Sequence, residues 1–324
     1  MLDGIRFEGY QNISKRCSRN TEVSVRRLDT IDLRLLRVFI ALADANGFPG
    51  AQITLNLSPS TLSMHLADLE RRIGGQLCVR GRKAFRLTEL GHATYEAASA
   101  LFRDIDTFRA RVGAASRRLT GRLRLGIVDG VISSSVLGLQ GALNRMLEVD
   151  VDVFVDLIQA TPLELEKAVA EGRLDVVIGP FGQRAPGVVY APIFRELHHL
   201  YCGRRHLMFD SPDVAISRAQ IEQARLSVRG YRHMEDLYRI GHPRAAASVL
   251  QMEAQAMLIL SGRYLGFLPC HIAERFVLSG DMRAIQPQTY AFESQHFVAH
   301  RRGGDKDPVV AAFLKNLADA VANP

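Results

Sequence analysis

Three short segments between residues 32 and 73 place their apolar residues at helical spacing. The first starts at Asp32, stops at Asn46-Gly47 and carries an apolar face made of Leu35, Leu36, Phe39, Ile40 and Ala43. The second follows Pro49 and puts Ala51 and Leu55 on one face. The third has Ser58 as N-cap, Pro59 at its first position and a stripe of Leu62, Leu66 and Leu69. This pattern predicts three helices around a small core.

The face of the third helix that lies opposite its leucines carries mostly small polar side chains. In a helix-turn-helix this face meets the major groove, so the candidate base-reading residues are Ser60, Thr61, Ser63, Met64 and His65. Two short strands, residues 77–80 and 85–87, then flank Gly81-Arg82-Lys83. They predict a hairpin wing whose cations, Arg80, Arg82 and Lys83, reach phosphates. Residues 31–88 are therefore predicted to form a winged helix-turn-helix.

A long helix is predicted next, over residues 89–118, with Thr88 as its cap. Its apolar positions are spaced 4, 3, 4, 4, 3 and 4 residues apart, as in a coiled coil: Leu90, Thr94, Ala97, Leu101, Ile105, Phe108 and Val112. Because a lone helix would leave this stripe in water, the pattern predicts a homodimer joined through these residues. The alternative is that the stripe packs against the chain's own C-terminal domain.

Strand and helix patterns alternate through residues 119–324. Strands at 123–128, 151–158 and 176–178 enclose helices at 133–147 and 162–170, which predicts a parallel βαβαβ sheet. A second unit covers about 196–284, with a long helix at 245–261 and a strand at 266–269, and the chain returns through 297–299 to a last helix at 308–321. Two α/β lobes joined by two crossovers follow: lobe I, about 119–195 and 288–324, and lobe II, about 196–287.

Charge narrows the choice of partner. The net charge is +7, and residues 1–119 hold 19 Lys and Arg against 12 Asp and Glu, so the whole excess lies in the first third. A basic N-terminal part fits a polyanion binder, although charge alone leaves DNA, RNA and membrane lipid open. Residues 1–30 are polar and basic and are expected to form a flexible extension. Alternatively they are a solvated tail, or the true start lies near Val25 or Leu28.

Several classes of protein are disfavoured. No window approaches a membrane span and the N-terminus lacks the pattern of a secretory signal, so a cytoplasmic location is expected. The four cysteines, Cys17, Cys78, Cys202 and Cys270, have no metal-site spacing, and His198-His199 lacks a third ligand. We find no nucleotide-binding or hydrolase motif, so we expect no enzyme, no metal and no cofactor. A purely architectural DNA binder is the remaining rival.

A run of residues in the N-terminal third resembles the DNA-binding region of LysR-type transcriptional regulators: Gly47-Phe48, Ala51, Leu55, Leu57-Ser58, Ser63, Leu66, Leu69-Glu70, Ile73-Gly74, Leu77, Arg80, Leu87-Thr88 and Gly91. The resemblance places Pro59, Ser60, Ser63 and Met64 at the family's recognition positions. Two residues depart from the family pattern. Met64 stands where Arg is common, which removes a guanidinium, and Cys78 stands where Phe is usual.

This resemblance implies an α+β multidomain architecture: a winged helix-turn-helix, a coiled-coil linker helix and a two-lobed α/β effector domain similar to periplasmic binding proteins. It implies double-stranded DNA with an inverted-repeat site as partner, a small-molecule effector, and a homodimer or, more in keeping with the family, a homotetramer. RNA polymerase is a further candidate partner.

Effectors of such domains collect at the C-terminal ends of strands, between the lobes. The candidates are Asp129, Gly130 and Ser133 after the first strand, Thr161 after the second, Pro180 and Phe181 after the third, and Val228, Arg229 and Tyr231 from lobe II. Gly130 and Thr161 are implied by the family resemblance. Asp129 and Arg229 together would suit a zwitterion. Both Asp129 and Thr161 are also good helix caps, and that alternative stays open.

Overall fold

The computed structural model describes residues 30–81, 84–115, 119–131, 138–148, 151–182, 184–231 and 233–322. The chain forms two compact units that divide between Phe102 and Arg103. Among the described residues, no helix is long and apolar enough to cross a membrane.

The first unit contains the three predicted helices and the wing. The helices are α1 (Thr30–Asp44), α2 (Phe48–Leu55) and α3 (Pro59–Ile73), and the wing strands are β1 (Cys78–Gly81) and β2 (Ala84–Leu87). The leucine stripe of α3 is fully buried, as predicted, and packs with Phe39 and Leu42 of α1. Cys78 is also buried in this core, in keeping with its being a smaller core side chain.

The linker helix α4 (Glu89–Ala115) begins directly after the wing. The Thr88 hydroxyl accepts a hydrogen bond from Gly91 N at 2.9 Å, which confirms the predicted cap. Glycine is required at position 91, because a Cβ there would lie 1.9 Å from the Leu77 carbonyl oxygen. A side chain at this position would push the helix away from the wing.

The second unit is built on one nine-stranded sheet in the order β4-β3-β5-β11-β6-β9-β7-β8, with β10 paired to β6. The strands are β3 (Leu119–Ile127), β4 (Val151–Gln159), β5 (Val176–Gly179), β6 (Val188–Gly203), β7 (Leu226–Arg229), β8 (Ala247–Val249), β9 (Leu265–Pro269), β10 (Met282–Ala284) and β11 (Ala291–Arg301). β3 pairs in parallel with β4 and β5, as the βαβαβ pattern predicts.

Helices cover this sheet: α5 (Leu139–Leu147), α6 (Pro162–Ala170), α7 (Arg218–Gln223), α8 (His233–Ile240), α9 (Met252–Leu260), α10 (Cys270–Leu278) and α11 (Pro308–Ala322). Lobe I has one apolar core and lobe II two smaller ones. The long antiparallel strands β6 and β11 run through both lobes and are the two predicted crossovers. Their register shifts between His296 and Phe297, where the chain passes from one lobe to the other.

One predicted element is wrong. Residues 245–261 are not one helix, because residues 247–249 form β8, which pairs in parallel with β7, and the helix starts only at Met252. Three consecutive alanines favour a helix locally, but backbone pairing with β7 outweighs that preference. The helix predicted at 133–147 is observed from Leu139, and residues 132–137 lie outside the described part of the chain.

Candidate DNA-binding surface and effector site

The N-terminus of α3 is a cluster of hydroxyl groups. Ser58 Oγ accepts a hydrogen bond from Thr61 N at 3.2 Å and lies 2.9 Å from Ser60 Oγ and 2.8 Å from Thr61 Oγ1. Pro59 occupies the first turn, where a missing N–H costs nothing. The free N–H groups and the positive end of the helix dipole make this a surface suited to a DNA phosphate.

The solvent face of α3 presents Ser60 and Met64, and the Met64 side chain is 62% exposed. Thr61 and Ser63 are half-buried. His65 does not belong with them: about 100° per residue places it beside the buried leucines, and its Nε2 is buried without a hydrogen-bond partner among the described residues. The expectation that His65 reads bases is therefore not supported by its position.

The wing is held against α3 by a carboxylate. Glu70 Oε1 accepts a hydrogen bond from Leu77 N, directly before β1, at 2.9 Å. A separate ion pair of 3.1 Å between Asp32 and Arg72 joins α1 to α3. Glu70 is one of the residues that carry the family resemblance, but its role in holding Leu77 is visible only in the structure. Arg82 and Lys83, and the side chain of Arg80, lie outside the described part of the wing, so their phosphate contacts stay a prediction.

The apolar stripe of α4 is used in two ways. Leu90 and Leu101 pack against the core of the first unit and Thr94 is buried, so these three serve the chain's own fold. The predicted dimer contact is not needed to explain their burial. Ile105 is half-buried and Ala97 is exposed. Phe108 is 68% exposed and Val112 is 53% exposed, which leaves an apolar pair on the surface of the second unit.

A buried carboxylate marks the place where the lobes meet. Glu196 on β6 lies among three histidines: His271 Nε2 is 2.9 Å from Oε1, and His198 Nε2 and His296 Nε2 are 3.2 and 3.8 Å from Oε2. Glu196, His198 and His296 are each less than 8% exposed. The strand pattern carries the signal for this cluster, since Glu196 and His198 occupy alternate, inward positions of a strand that is otherwise apolar on that side.

Arg229 is paired inside lobe II. Its guanidinium makes hydrogen bonds of 2.8 and 3.2 Å with the Asp236 carboxylate, and its Nη1 lies 3.2 Å from His198 Nε2. Arg229 and Asp236 are 2% and 1% exposed. The hypothesis that Asp129 and Arg229 together bind a zwitterion stays untested, although Asp236 already neutralises Arg229 here. Val228 is fully buried in the core, so it cannot contact an effector directly.

Asp129 links the two lobes. Its carboxylate, at the end of β3 in lobe I, accepts a hydrogen bond from the backbone N–H of Met252, the first residue of α9 in lobe II. Burial raises the pKa of Asp129, and Glu196 raises it further, whereas hydrogen bonds from backbone N–H groups lower it. Gly130 contacts lobe II as well, since a Cβ there would lie 2.6 Å from Ile272 Cδ1.

Thr161 is the N-cap of α6. Its Oγ1 accepts from Glu164 N at 3.4 Å and donates to Glu164 Oε2 at 2.7 Å, and Thr161 N also donates to that carboxylate, so a complete capping box is present. Hydrogen bonds from Thr161 lower the pKa of Glu164. The capping alternative is therefore observed, and the hydroxyl could donate to an effector only by giving up its hydrogen bond to Glu164.

The other effector candidates divide by burial. Phe181 belongs to the lobe I core, where its ring packs edge-on against Tyr190, so its position does not support the expectation that it contacts an effector. Pro180 and Tyr231 are half-buried and accessible. Ser133 lies outside the described residues. Glu196, His271 and Asp236 are not among the residues predicted from the sequence, and the structure places them at or beside the junction of the lobes.

The fold and these two regions define a class: a transcription regulator with a winged helix-turn-helix followed by a two-lobed sensor domain. The model of the bacterial regulatory helix-turn-helix protein, lysR family, matches residues 33–92, and the model of the LysR substrate binding domain matches residues 116–322. The chain belongs to the LysR family of transcriptional regulators, which are DNA-binding proteins and not enzymes.

Individual relatives agree with this assignment. The HTH-type transcriptional activator BauR of Pseudomonas aeruginosa is 32% identical over 302 residues, covering 93% of this chain and 98% of BauR. Full-length OxyR from Pseudomonas aeruginosa has a TM-score of 0.60 at 20% identity, over 92% of this chain and 96% of OxyR. Full-length CbnR in complex with its target DNA has a TM-score of 0.59 at 21% identity, over 90% of this chain and 100% of CbnR.

Proposed function

We propose that this regulator binds an inverted-repeat DNA site as a homodimer, and that a small anionic molecule bound where the lobes meet changes this binding. The observation that carries the effector part is the hydrogen bond between Asp129 of lobe I and Met252 N of lobe II. A carboxylate of the chain itself already occupies the positive end of α9, so this place accepts an anion.

The chemistry of the junction favours an anion that replaces Asp129. Burial disfavours the charged form of Asp129, as its raised pKa shows, so the link is held against a desolvation cost. An effector with a carboxylate or phosphate group could bind the same N–H end and release Asp129. Because Asp129 and Met252 belong to different lobes, this exchange would alter how the lobes are joined.

Dimerisation is proposed through the distal half of α4. Phe108 and Val112 lie four residues apart on one helix face and are both more than half exposed. An exposed aromatic and aliphatic pair on a long helix gains most by meeting its copy. The CbnR structure was determined on its target DNA, which supports the same mode of action for this chain.

Activation of transcription is the expected outcome of DNA binding, because BauR is a transcriptional activator with 98% of its length covered. No cofactor other than the effector is proposed. Transcription by RNA polymerase from a promoter with the inverted repeat, with and without the protein, tests the direction of the effect. A lower yield of transcript in the presence of the protein would contradict activation.

The effector proposal is tested by thermal unfolding of the full chain with a library of carboxylates and phosphates. An anion that binds only the native state raises the melting temperature. Asp129→Ala should bind that anion about ten-fold more tightly than the parent does, because no internal carboxylate competes, a change of about 1.4 kcal/mol. Asp152→Ala, which removes an exposed carboxylate from β4, is the matched control and should bind as the parent does.

Two results would contradict the proposal. If Asp129→Ala bound the anion more weakly, Asp129 would be a direct contact for a positive group of the effector. If no anion stabilised the parent while a neutral or cationic compound did, the effector would belong to another chemical class. DNA binding to the inverted repeat is measured separately, so failure of the effector proposal leaves the DNA-binding function intact.

A further inference from the structure

A polar cavity of about 270 Å³ lies in the second unit, away from the junction of the lobes. It is formed by the distal half of α4, the start of β3, the loop after α6 and the loop after β11. Seven cationic side chains and four acidic ones line it. The excess of positive charge raises the question of what neutralises it.

Three of the four acidic side chains of the cavity are already engaged. Asp106 and Asp175 both pair with Arg124, at 2.6 and 3.5 Å. Asp307 accepts hydrogen bonds from Val309 N at 2.9 Å and from the Thr107 hydroxyl at 3.1 Å. These three carboxylates therefore fix the helices and strands around the cavity, and Asp104 is the one remaining acidic side chain of the lining that faces its other cations.

Two guanidinium groups in the cavity are crowded together, and neither has a carboxylate within ion-pair distance in the described part of the chain. Arg103 of α4 and Arg301 of β11 meet at Gly172, where a Cβ would lie 2.3 Å from Arg301 Nη1 and 3.1 Å from Arg103 Cζ. Burial lowers the pKa of Arg103, and the neighbouring Arg301 and Arg124 lower it further.

The end of helix α6 does not balance these two charges. Gly172 follows the C-terminus of α6, with φ of +71°, and a helix end of this kind carries about half a negative charge. Asp175 and Asp104 also act on Arg103, but the neighbouring Arg301 and Arg124 affect its pKa more strongly, so the two positive charges are only partly compensated. Placing like charges together at the surface of an open cavity is unfavourable unless an anion binds between them.

We propose that this cavity is a second binding site, for a small phosphate-bearing anion, and that Arg103 and Arg301 bind it. Guanidinium groups present planar, paired N–H donors that match phosphate oxygens, and two of them suit a ligand with more than one charged oxygen. Gly172 is required because any side chain there would occupy the space of the two guanidinium groups. The cavity is at the small end of ligand pockets, which favours a pyrophosphate-sized anion over a large one.

The test uses inorganic pyrophosphate, titrated calorimetrically into the full chain at constant ionic strength. We expect saturable binding to the parent, and dissociation constants raised about ten-fold or more for Arg103→Gln and for Arg301→Gln. Arg195→Gln removes one exposed positive charge from β6, outside the cavity, and should bind as the parent does. Without pyrophosphate, Arg301→Gln should unfold at the same or a higher temperature than the parent, because a repulsion has been removed.

Three outcomes would overturn the proposal. The first is no saturable binding to the parent. The second is an equal loss of binding in Arg195→Gln, which would show attraction by net charge alone. The third is a loss of affinity for duplex DNA in Arg103→Gln and Arg301→Gln without any effect on pyrophosphate, which would assign the pair to the DNA backbone.

Discussion

Asp129, at the end of a lobe I strand, accepts a hydrogen bond from the backbone N–H of Met252, at the start of a lobe II helix. The carboxylate thus caps a helix of the other lobe, 123 residues away in the chain. A cap within one helix stabilises only that helix, whereas this one joins two lobes. The hydrogen bond from Met252 favours the charged form of Asp129, but burial favours the neutral form and has the larger effect on its pKa.

Asp129→Asn should change how stability depends on pH. Because the pKa of Asp129 is raised in the folded state, the native protein binds a proton more readily than the unfolded chain. This group therefore makes the free energy of unfolding fall as pH rises from its ordinary value, 3.8, through the raised one. Urea unfolding at several pH values should show a shallower fall in the variant, and parallel curves would contradict the assignment.

Thr161→Val should destabilise the second unit by about 1 kcal/mol, because the capping box of α6 is lost. Part of this loss should depend on pH. The Thr161 hydrogen bonds lower the pKa of Glu164, so their contribution is present above its ordinary value, 4.5, and disappears as pH falls through the lowered one. Chemical unfolding at neutral and acid pH should therefore show a smaller difference between variant and parent in acid.

Ser217→Ala provides the matched control for this prediction. Ser217 caps α7 with the same box geometry, but its partner is Gln220, which does not ionise. Its loss should cost a similar free energy at every pH. If the two variants showed the same dependence on pH, the effect at Thr161 would not come from Glu164.

The winged helix-turn-helix could be predicted almost residue by residue, because local signals agree there with the packing. Ser58, Pro59 and the leucine stripe each specify the start or the buried face of α3, and the structure confirms them. The β8 segment could not be predicted, because three residues gain their strand conformation only by pairing with β7, 20 residues earlier. Local sequence carries no information on such pairing.

The effector region was predicted less well for a related reason. The ends of the strands were located correctly, but Val228 and Phe181 proved to be buried, and the partners of Arg229 and Asp129 come from other elements. Which polar groups meet in three dimensions depends on how distant strands pair. The antiparallel pairing of β6 with β9 brings Glu196 to His271, 75 residues away.

Leu101→Glu and Phe108→Glu should affect different properties, although both change the stripe of α4. The first should lower the stability of the protomer, and the second should prevent dimerisation. Leu101 packs against the core of the first unit, so a charge there should cost about 2 to 4 kcal/mol of stability. Phe108 is 68% exposed, so Phe108→Glu should leave the protomer stable but convert a dimer to monomers. Thermal unfolding and sedimentation measure the two effects, and an unchanged mass for Phe108→Glu would remove α4 from the proposed interface.

Asp236→Asn should destabilise lobe II by about 3 to 5 kcal/mol, because it leaves the Arg229 guanidinium charged and uncompensated in the interior. The double variant Arg229→Met with Asp236→Leu should recover much of this loss, since neither charge then remains buried. Urea unfolding of the three proteins provides the comparison. A double variant as unstable as Asp236→Asn would show that His198 and the neighbouring groups also need Arg229.

Met64 provides the sharpest test of DNA recognition, because it is the exposed residue at which this chain departs from the family pattern. If Met64 contacts a thymine methyl, Met64→Ala should weaken binding to the specific site by about 1 kcal/mol, roughly five-fold, and leave binding to unrelated DNA unchanged. The dependence of affinity on salt should also stay the same, because no phosphate contact is lost.

Met64→Arg should instead strengthen binding to all sequences, with a salt dependence steeper by about 0.9 in the logarithmic slope, if the added guanidinium reaches a phosphate. Fluorescence anisotropy with specific and unrelated duplexes at several salt concentrations separates these effects. Equal weakening on both duplexes by Met64→Ala would show that Met64 supports the fold of α3 and does not read the sequence.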